Sequence, residues 1–176
     1  KRDELKGKMD KTSIDLDTLR SRLRMFVEME KEYEGFSKAV RVVMQESDRK
    51  RLQGIHGPVS KLIRVEDAYT IAVEIALGSA MQQIVVDNEQ CAKAAIQHLK
   101  RTDSGRATFL PMTVVKGRML NEQGVERSNG FVGIAADLVH CEPKYRDIVK
   151  DLLGRTVIAE DMDSAIAIAN RFGHRF

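Results

Sequence analysis

Lysines and arginines in two short groups are the side chains best suited to chemistry in this sequence, and the chemistry is contact with phosphate. Arg49, Lys50 and Arg51 are consecutive, while Lys100, Arg101 and Arg106 flank a loop of Asp103, Ser104 and Gly105. Such groups hold phosphates through charge and without reading bases, so affinity falls steeply as salt rises. The same residues also fit a solvated surface, and Arg49–Arg51 fits the decoration of a helix end. Other constellations say less. No G-x-x-x-x-G-K-[ST] loop is present to cradle phosphates. Gly54-Ile55-His56-Gly57 is a short glycine pair that serves as a turn. Cys91 and His98 stand seven apart and His140 adjoins Cys141; neither has the close pairing of zinc ligands, so no metal site is expected. Glu160, Asp161 and Asp163 stand at an expected helix start, where carboxylates cap amides and offset the dipole. No catalytic residue is expected. Gly130, Phe131, Val132 and Gly133 place an apolar pair between two glycines. That segment suits an edge strand meeting a second chain, or equally an internal core strand.

Two kinds of element must position these residues. From residue 5 to residue 44, steps of three and four pick out Leu5, Met9, Thr12, Leu16, Leu19, Leu23, Phe26, Glu30, Tyr33, Ser37, Val40 and Met44. Nine of these twelve are apolar, which is the seam of a coiled coil rather than a helix lying on a core. Residues 1–53 are therefore expected as a coiled-coil arm, with Gly35 a weak point near its base. Glycines and a proline at 54–58 end it, and a compact domain follows. Strands are expected over 59–65, 83–86, 106–110 and 156–159, and helices over 66–77, 89–101, 143–153 and 162–172. The arm carries 14 Lys/Arg against 11 Asp/Glu and the remainder 15 of each, so the whole net charge of +3 lies in the arm. An excess this small permits nucleic-acid contact without requiring it. Two cysteines and no long apolar run point to a reducing, cytoplasmic setting with no membrane span.

The compact part repeats itself. Tyr69, Val73, Leu77 and Gly78 return 76 residues later as Tyr145, Val149, Leu153 and Gly154. A short apolar strand, an acidic residue and an alanine-bearing helix follow each copy. Two related subdomains of mixed α/β (α+β) structure are expected, over 54–120 and 121–176.

Several stretches closely resemble the hinge of bacterial SMC (structural maintenance of chromosomes) proteins: residues 33–43 (YEGFSKAVRVV), 51–58 (RLQGIHGP), 72–79 (AVEIALGS), 83–86 (QIVV), 105–111 (GRATFLP) and 151–161 (DLLGRTVIAED). The resemblance implies a non-catalytic dimerisation hinge of two subdomains between antiparallel coiled-coil arms. It implies a homodimer working in chromosome condensation and partition in the cytoplasm, on the nucleoid, with kleisin and accessory subunits and DNA as partners. It places ATP and Mg in a distant head and no cofactor in this segment. It strengthens the reading of Arg49, Lys50, Arg51, Lys100, Arg101 and Arg106 as DNA contacts. In the family a further strand, a glycine-rich interface segment and the returning helix follow the region of Gly173-His174-Arg175-Phe176. Dimerisation of this chain alone is therefore expected to be incomplete, with Gly130–Gly133 as the interface candidate it retains. A coiled-coil DNA-repair ATPase of the Rad50 type is the alternative, and it would carry a CxxC zinc hook that is lacking here. A small enzyme with a helical extension would need a polar pocket of perturbed groups.

Overall fold

The structure is a computed structural model that describes residues 2–173, with side chains described for 8, 9, 11–29 and 32–173. It divides into two units, Lys1–Phe36 and Ser37–Phe176.

The first unit is one helix, α1 (Arg2–Lys31). Along it Met9, Leu16, Leu19, Leu23 and Phe26 are exposed at the three-and-four spacing of the expected seam; the side chains of Leu5 and Glu30 lie outside the described residues. The arm does not continue unbroken to residue 53. Tyr33 takes a left-handed φ of +55° and Gly35 one of +90°. Glu34 N–H reaches back to Met29 O at 3.0 Å, a Schellman-type closure of the helix. A second helix, α2 (Lys38–Asp48), then starts in the second unit, with Ser37 Oγ accepting from Val40 N–H. Val40 and Met44, assigned to the seam by spacing, are buried there, 2 % and 6 % exposed. Spacing by three and four marks any helix with one apolar face and does not say which body that face joins.

The second unit then runs β1 (Ile55–Pro58), a single turn α3 (Val59–Leu62), β2 (Ile63–Val65), α4 (Thr70–Leu77), β3 (Ile84–Val86), α5 (Glu89–Arg101), β4 (Phe109–Pro111), β5 (Phe131–Ile134), β6 (Val139–Cys141), α6 (Arg146–Leu153), β7 (Val157–Ala159) and α7 (Met162–Arg171). The expected strand over 59–65 is thus half helix. Val59 and Leu62, three apart, both pack on the core, which one helical turn allows and strand alternation does not. The glycine-flanked turn at 54–57 is largely strand β1, because Gly57 at φ +138° supplies a bulge against β3 rather than a break. The strand expected over 106–110 narrows to Phe109–Pro111.

The repeat extends well past its four landmark residues. Adding 76 carries β1 onto β5, the α3 turn onto a 3₁₀ turn at Ala135–Leu138, β2 onto β6, and α4 with its leading 3₁₀ turn onto α6 with its own. The second copy lacks a 3₁₀ turn like Gly78–Gln82 and is three residues shorter there, so from this point an offset of 73 puts β3 on β7 and α5 on α7. Hydrogen bonds repeat as well: Asp87 N–H to Gly54 O (2.9 Å) corresponds to Glu160 N–H to Gly130 O (2.8 Å). β1–β3 and β5–β7 are antiparallel pairs with a register shift at matching positions. β4 adds a third, parallel strand to β3, while β5–β7 stays two-stranded among the described residues.

The two copies meet at β2 and β6, which pair antiparallel with Arg64 opposite His140. Arg64 and His140 are each other's repeat equivalents, so a local two-fold axis passes through this ribbon. One core lies across it: Val59, Val73, Leu77 and Val85 from the first copy pack with Ala135, Val149, Leu153 and Ile158 from the second. These are matched positions of the repeat. Burying each of the larger side chains contributes roughly 1.5–3 kcal/mol, so the related subdomains stabilise one another. His56 adds a polar link across the halves, with Nδ1 2.9 Å from the buried Tyr145 hydroxyl and Nε2 2.8 Å from Asp87.

Candidate functional site

α2 organises the cations. At its end Arg49 N–H bonds Gln45 O, Lys50 N–H bonds Ser47 O, and both Arg51 and Leu52 N–H bond Glu46 O. Lys50 sits at a left-handed φ of +59°. Leu52 is buried, so the chain between it and Glu46 is pinned while Arg49, Lys50 and Arg51 project outward. Arg49 Nη1 lies 3.0 Å from Glu46 Oε1 and Arg51 Nη1 3.4 Å from Glu46 Oε2. Burial opposes ionisation of Glu46. The Arg49 hydrogen bond and the charges of Arg51 and His98 outweigh that, and its carboxyl titrates below the ordinary value.

The second group stands where α5 ends. Asn88 Oδ1 caps the start of this helix, accepting from Gln90 and Cys91 N–H. Its last turn is closed by Thr102, whose hydroxyl donates to His98 O at 3.0 Å and meets Ser104 Oγ at 2.8 Å. Asp103 (φ +46°) and Gly105 (φ +89°) then reverse the chain. Lys100 and Arg106 thereby line one groove of about 490 Å³, floored by Ile96, Leu99 and Ala107. Arg101 lies apart from that groove, with Nη2 3.2 Å from His98 Nδ1. Lys38, which charge grouping along the sequence does not pick out, joins this group through its Nζ at 3.3 Å from Asp103 O.

The candidate cations therefore stand at the two ends of α2, with Lys38, Lys100 and Arg106 by its start and Arg49–Arg51 at its finish. Eleven residues of helix separate the ends, about 17 Å, the run of about five successive phosphates along one DNA strand. α2 packs on α5, and Glu46 with His98 and Arg101 links the two helices electrostatically. Glu46 does not figure among the residues expected from the sequence, although its positions three and five before Arg49 and Arg51 are readable as helix-end pairing.

Gly130–Gly133 is built differently. Gly130 has φ +73°, and a Cβ there would run into Ser164 Oγ and Cβ. A Cβ on Gly133 would come within 3.3 Å of Leu138. The close approaches that these glycines permit are made within the chain. Phe131 is half-buried opposite Ala159, and Val132, at the register shift, is exposed. Asp161 caps α7, with Oδ1 2.7 Å from Ser164 N–H. Among the described residues no cluster of His, Cys, Asp and Glu could hold a metal, and no helix is long and apolar enough to cross a membrane.

Known proteins are similar to this chain in sequence and in fold. The family described as SMC proteins Flexible Hinge Domain matches residues 52–169. Chromosome partition protein Smc of Bacillus subtilis (strain 168) is 41% identical over 160 residues, covering 89% of this chain and 13% of that protein. The protein of the same name from Methanocaldococcus jannaschii is 32% identical over 172 residues, covering 98% of this chain and 14% of the relative. The chain thus spans about one seventh of the length of these relatives. A crystal structure of an asymmetric dimer of the Geobacillus stearothermophilus SMC hinge domain superposes with a TM-score of 0.84 at 40% identity, covering 91% of this chain and 64% of that one. The Pyrococcus furiosus SMC protein hinge domain gives 0.63 at 32% identity, covering 77% and 69%. With the family match running from just past α2 into α7 and taking in both copies of the repeat, this chain belongs to the SMC hinge family.

Proposed function

We propose that this chain is the dimerisation hinge of a chromosome partition protein, joining two coiled-coil arms and contacting DNA without sequence preference. The observation that carries the reading is the family match over both repeat copies. The Geobacillus stearothermophilus neighbour is described as a hinge dimer, which supports pairing of two copies here. The β5–β7 pair has strand edges that no other described strand occupies, and Val132 stands exposed on β5. Backbone pairing along such an edge is one way for two chains to join, so Gly130, Phe131, Val132 and Gly133 contribute through their strand edge rather than through glycine-to-glycine approach. Sedimentation of this chain beside a version lengthened at its C-terminus tests the pairing. A dimer in either form supports the reading, and monomers in both refute it.

DNA contact rests on Arg49, Lys50, Arg51, Lys100, Arg101 and Arg106, with Lys38 added from the structure. Their placement at both ends of α2 supports one contact surface rather than two unrelated patches. Arg49→Glu, Lys50→Glu and Arg51→Glu together should weaken binding to random duplex DNA and flatten its log–log salt dependence by about 0.9 for each phosphate that is no longer neutralised. Unchanged anisotropy titrations across salt would remove the helix-end group from the interface. ATP and Mg chemistry, kleisin and accessory subunits are assigned to other parts of the longer protein, and this segment is read as non-catalytic, working in the cytoplasm on the nucleoid.

A further inference from the structure

The cations at the end of α2 do not face solvent unopposed. Glu46 is the one buried acidic side chain among the described residues, 6 % exposed. Arg49 and Arg51 converge on its carboxylate while their own side chains stay 60% and 67% exposed. Each uses Nη1 for that contact. Charge-assisted hydrogen bonds from guanidinium groups serve carboxylates and phosphates alike, so Glu46 and a DNA phosphate compete for the same two donors.

We propose that Glu46 is an internal counter-ion that damps the affinity of Arg49, Lys50 and Arg51 for DNA phosphates. This rests on the DNA reading above and assigns the regulation of that surface. Two effects oppose one another. Held by Glu46, the arginines are ordered in advance, which favours binding; yet its charge offsets one of three neighbouring cations, which disfavours it. Ordering matters most where a ligand offers one geometry. Random duplex offers a phosphate about every 3.4 Å along each strand, so a loosened guanidinium readily finds another. The charge effect therefore prevails.

The test is fluorescence anisotropy of labelled random-sequence duplex DNA titrated with the chain. Glu46→Gln keeps the shape and one acceptor while removing the charge. It should bind more tightly at about 50 mM salt, with a log–log salt slope steeper by about 0.9, so that its advantage shrinks roughly threefold by about 200 mM. Equal or weaker binding overturns the proposal. Arg49→Gln with Arg51→Gln separates the counter-ion role from the DNA surface itself. If that pair weakens binding and Glu46→Gln does not tighten it, the DNA surface stands and the counter-ion role falls. If the pair has no effect, the helix-end DNA reading falls and the proposal goes with it. In the Arg49→Gln, Arg51→Gln background, Glu46→Gln should change little; a full gain there would also count against it. Should Glu46→Gln melt early, Glu46→Met has similar length for the same buried site and must give the same tightening.

Discussion

Replacing Gly130 by alanine asks what this glycine is for. Two costs follow from the structure. A Cβ-bearing residue at φ +73° takes a left-handed conformation worth about 1–2 kcal/mol. The new methyl also meets Ser164 Oγ and Cβ on the first turn of α7, and overpacking of that kind costs about 1–3 kcal/mol. Gly130→Ala should therefore lose about 2–5 kcal/mol in all. Gly124 is the internal control: its φ is +86°, with nothing within 4 Å of its would-be Cβ. Gly124→Ala should lose the conformational part alone, about 1–2 kcal/mol. At about 3–4 °C per kcal/mol for a unit of this size, thermal melts followed by circular dichroism resolve the difference. Ser164→Gly added to Gly130→Ala should recover part of the loss, because it clears the colliding atoms. Equal losses for the two alanine variants, or no recovery with Ser164→Gly, would refute the claim that Gly130 is held to glycine by its own chain.

His56→Ala removes the ring that bonds both the Tyr145 hydroxyl and Asp87, which should cost about 1–3 kcal/mol in urea unfolding; because the Tyr145 hydroxyl keeps its hydrogen bond with Lys144, Tyr145→Phe in the same background should restore little of it. Asp161→Ala should lower the melting temperature at neutral pH, because α7 loses its cap. Backbone and side-chain hydrogen bonds from Ser164 hold the Asp161 carboxyl below its ordinary value. Its contribution is therefore fully present above the unfolded pKa of about 3.9 and is lost as pH falls through the lower folded value, so parent and variant melts should begin to converge below about pH 4 and meet only below the folded value.

Much of this fold is legible in the sequence where one residue type meets one physical need. Tyr69, Val73 and Leu77 against Tyr145, Val149 and Leu153 reveal the repeat because each triplet marks one buried helix face. Asp161 is readable at a helix start through its capping chemistry, and Asn88 serves the same need at the start of α5. The losses come where one pattern serves two structures. Val40 and Met44 satisfy a coiled-coil register and a domain core alike, so the break at Tyr33–Gly35 is invisible to spacing. Val59–Val65 reads as a strand until Val59 and Leu62 are seen to share a side. β6 escapes because Val139-His140-Cys141 is too short to alternate; its place becomes clear from β2 and the 76-residue offset. At the candidate site the cations are readable as charges, but their grouping around α2 is not. That depends on α2 packing on α5 and on Lys38 reaching Asp103 O, contacts between residues 65 apart in sequence.

The ribbon in which Arg64 faces His140 has a consequence for how this unit can change. A contact between repeat equivalents is the geometry of a symmetric dimer, here drawn within one chain. Tethering replaces a concentration-dependent association by a fixed effective concentration, on the order of millimolar for a short flexible connection, so a mutual affinity too weak for two separate chains suffices to keep the halves together. The symmetry is then free to lapse wherever the shared core does not enforce it. Where α4 exposes Ile71 and Ile75, the matched positions on α6 are Asp147 and Asp151; where β1 has His56, β5 has Val132. A substitution in a true homodimer appears twice, but here it appears once, so each half can acquire its own surface while the other preserves the fold.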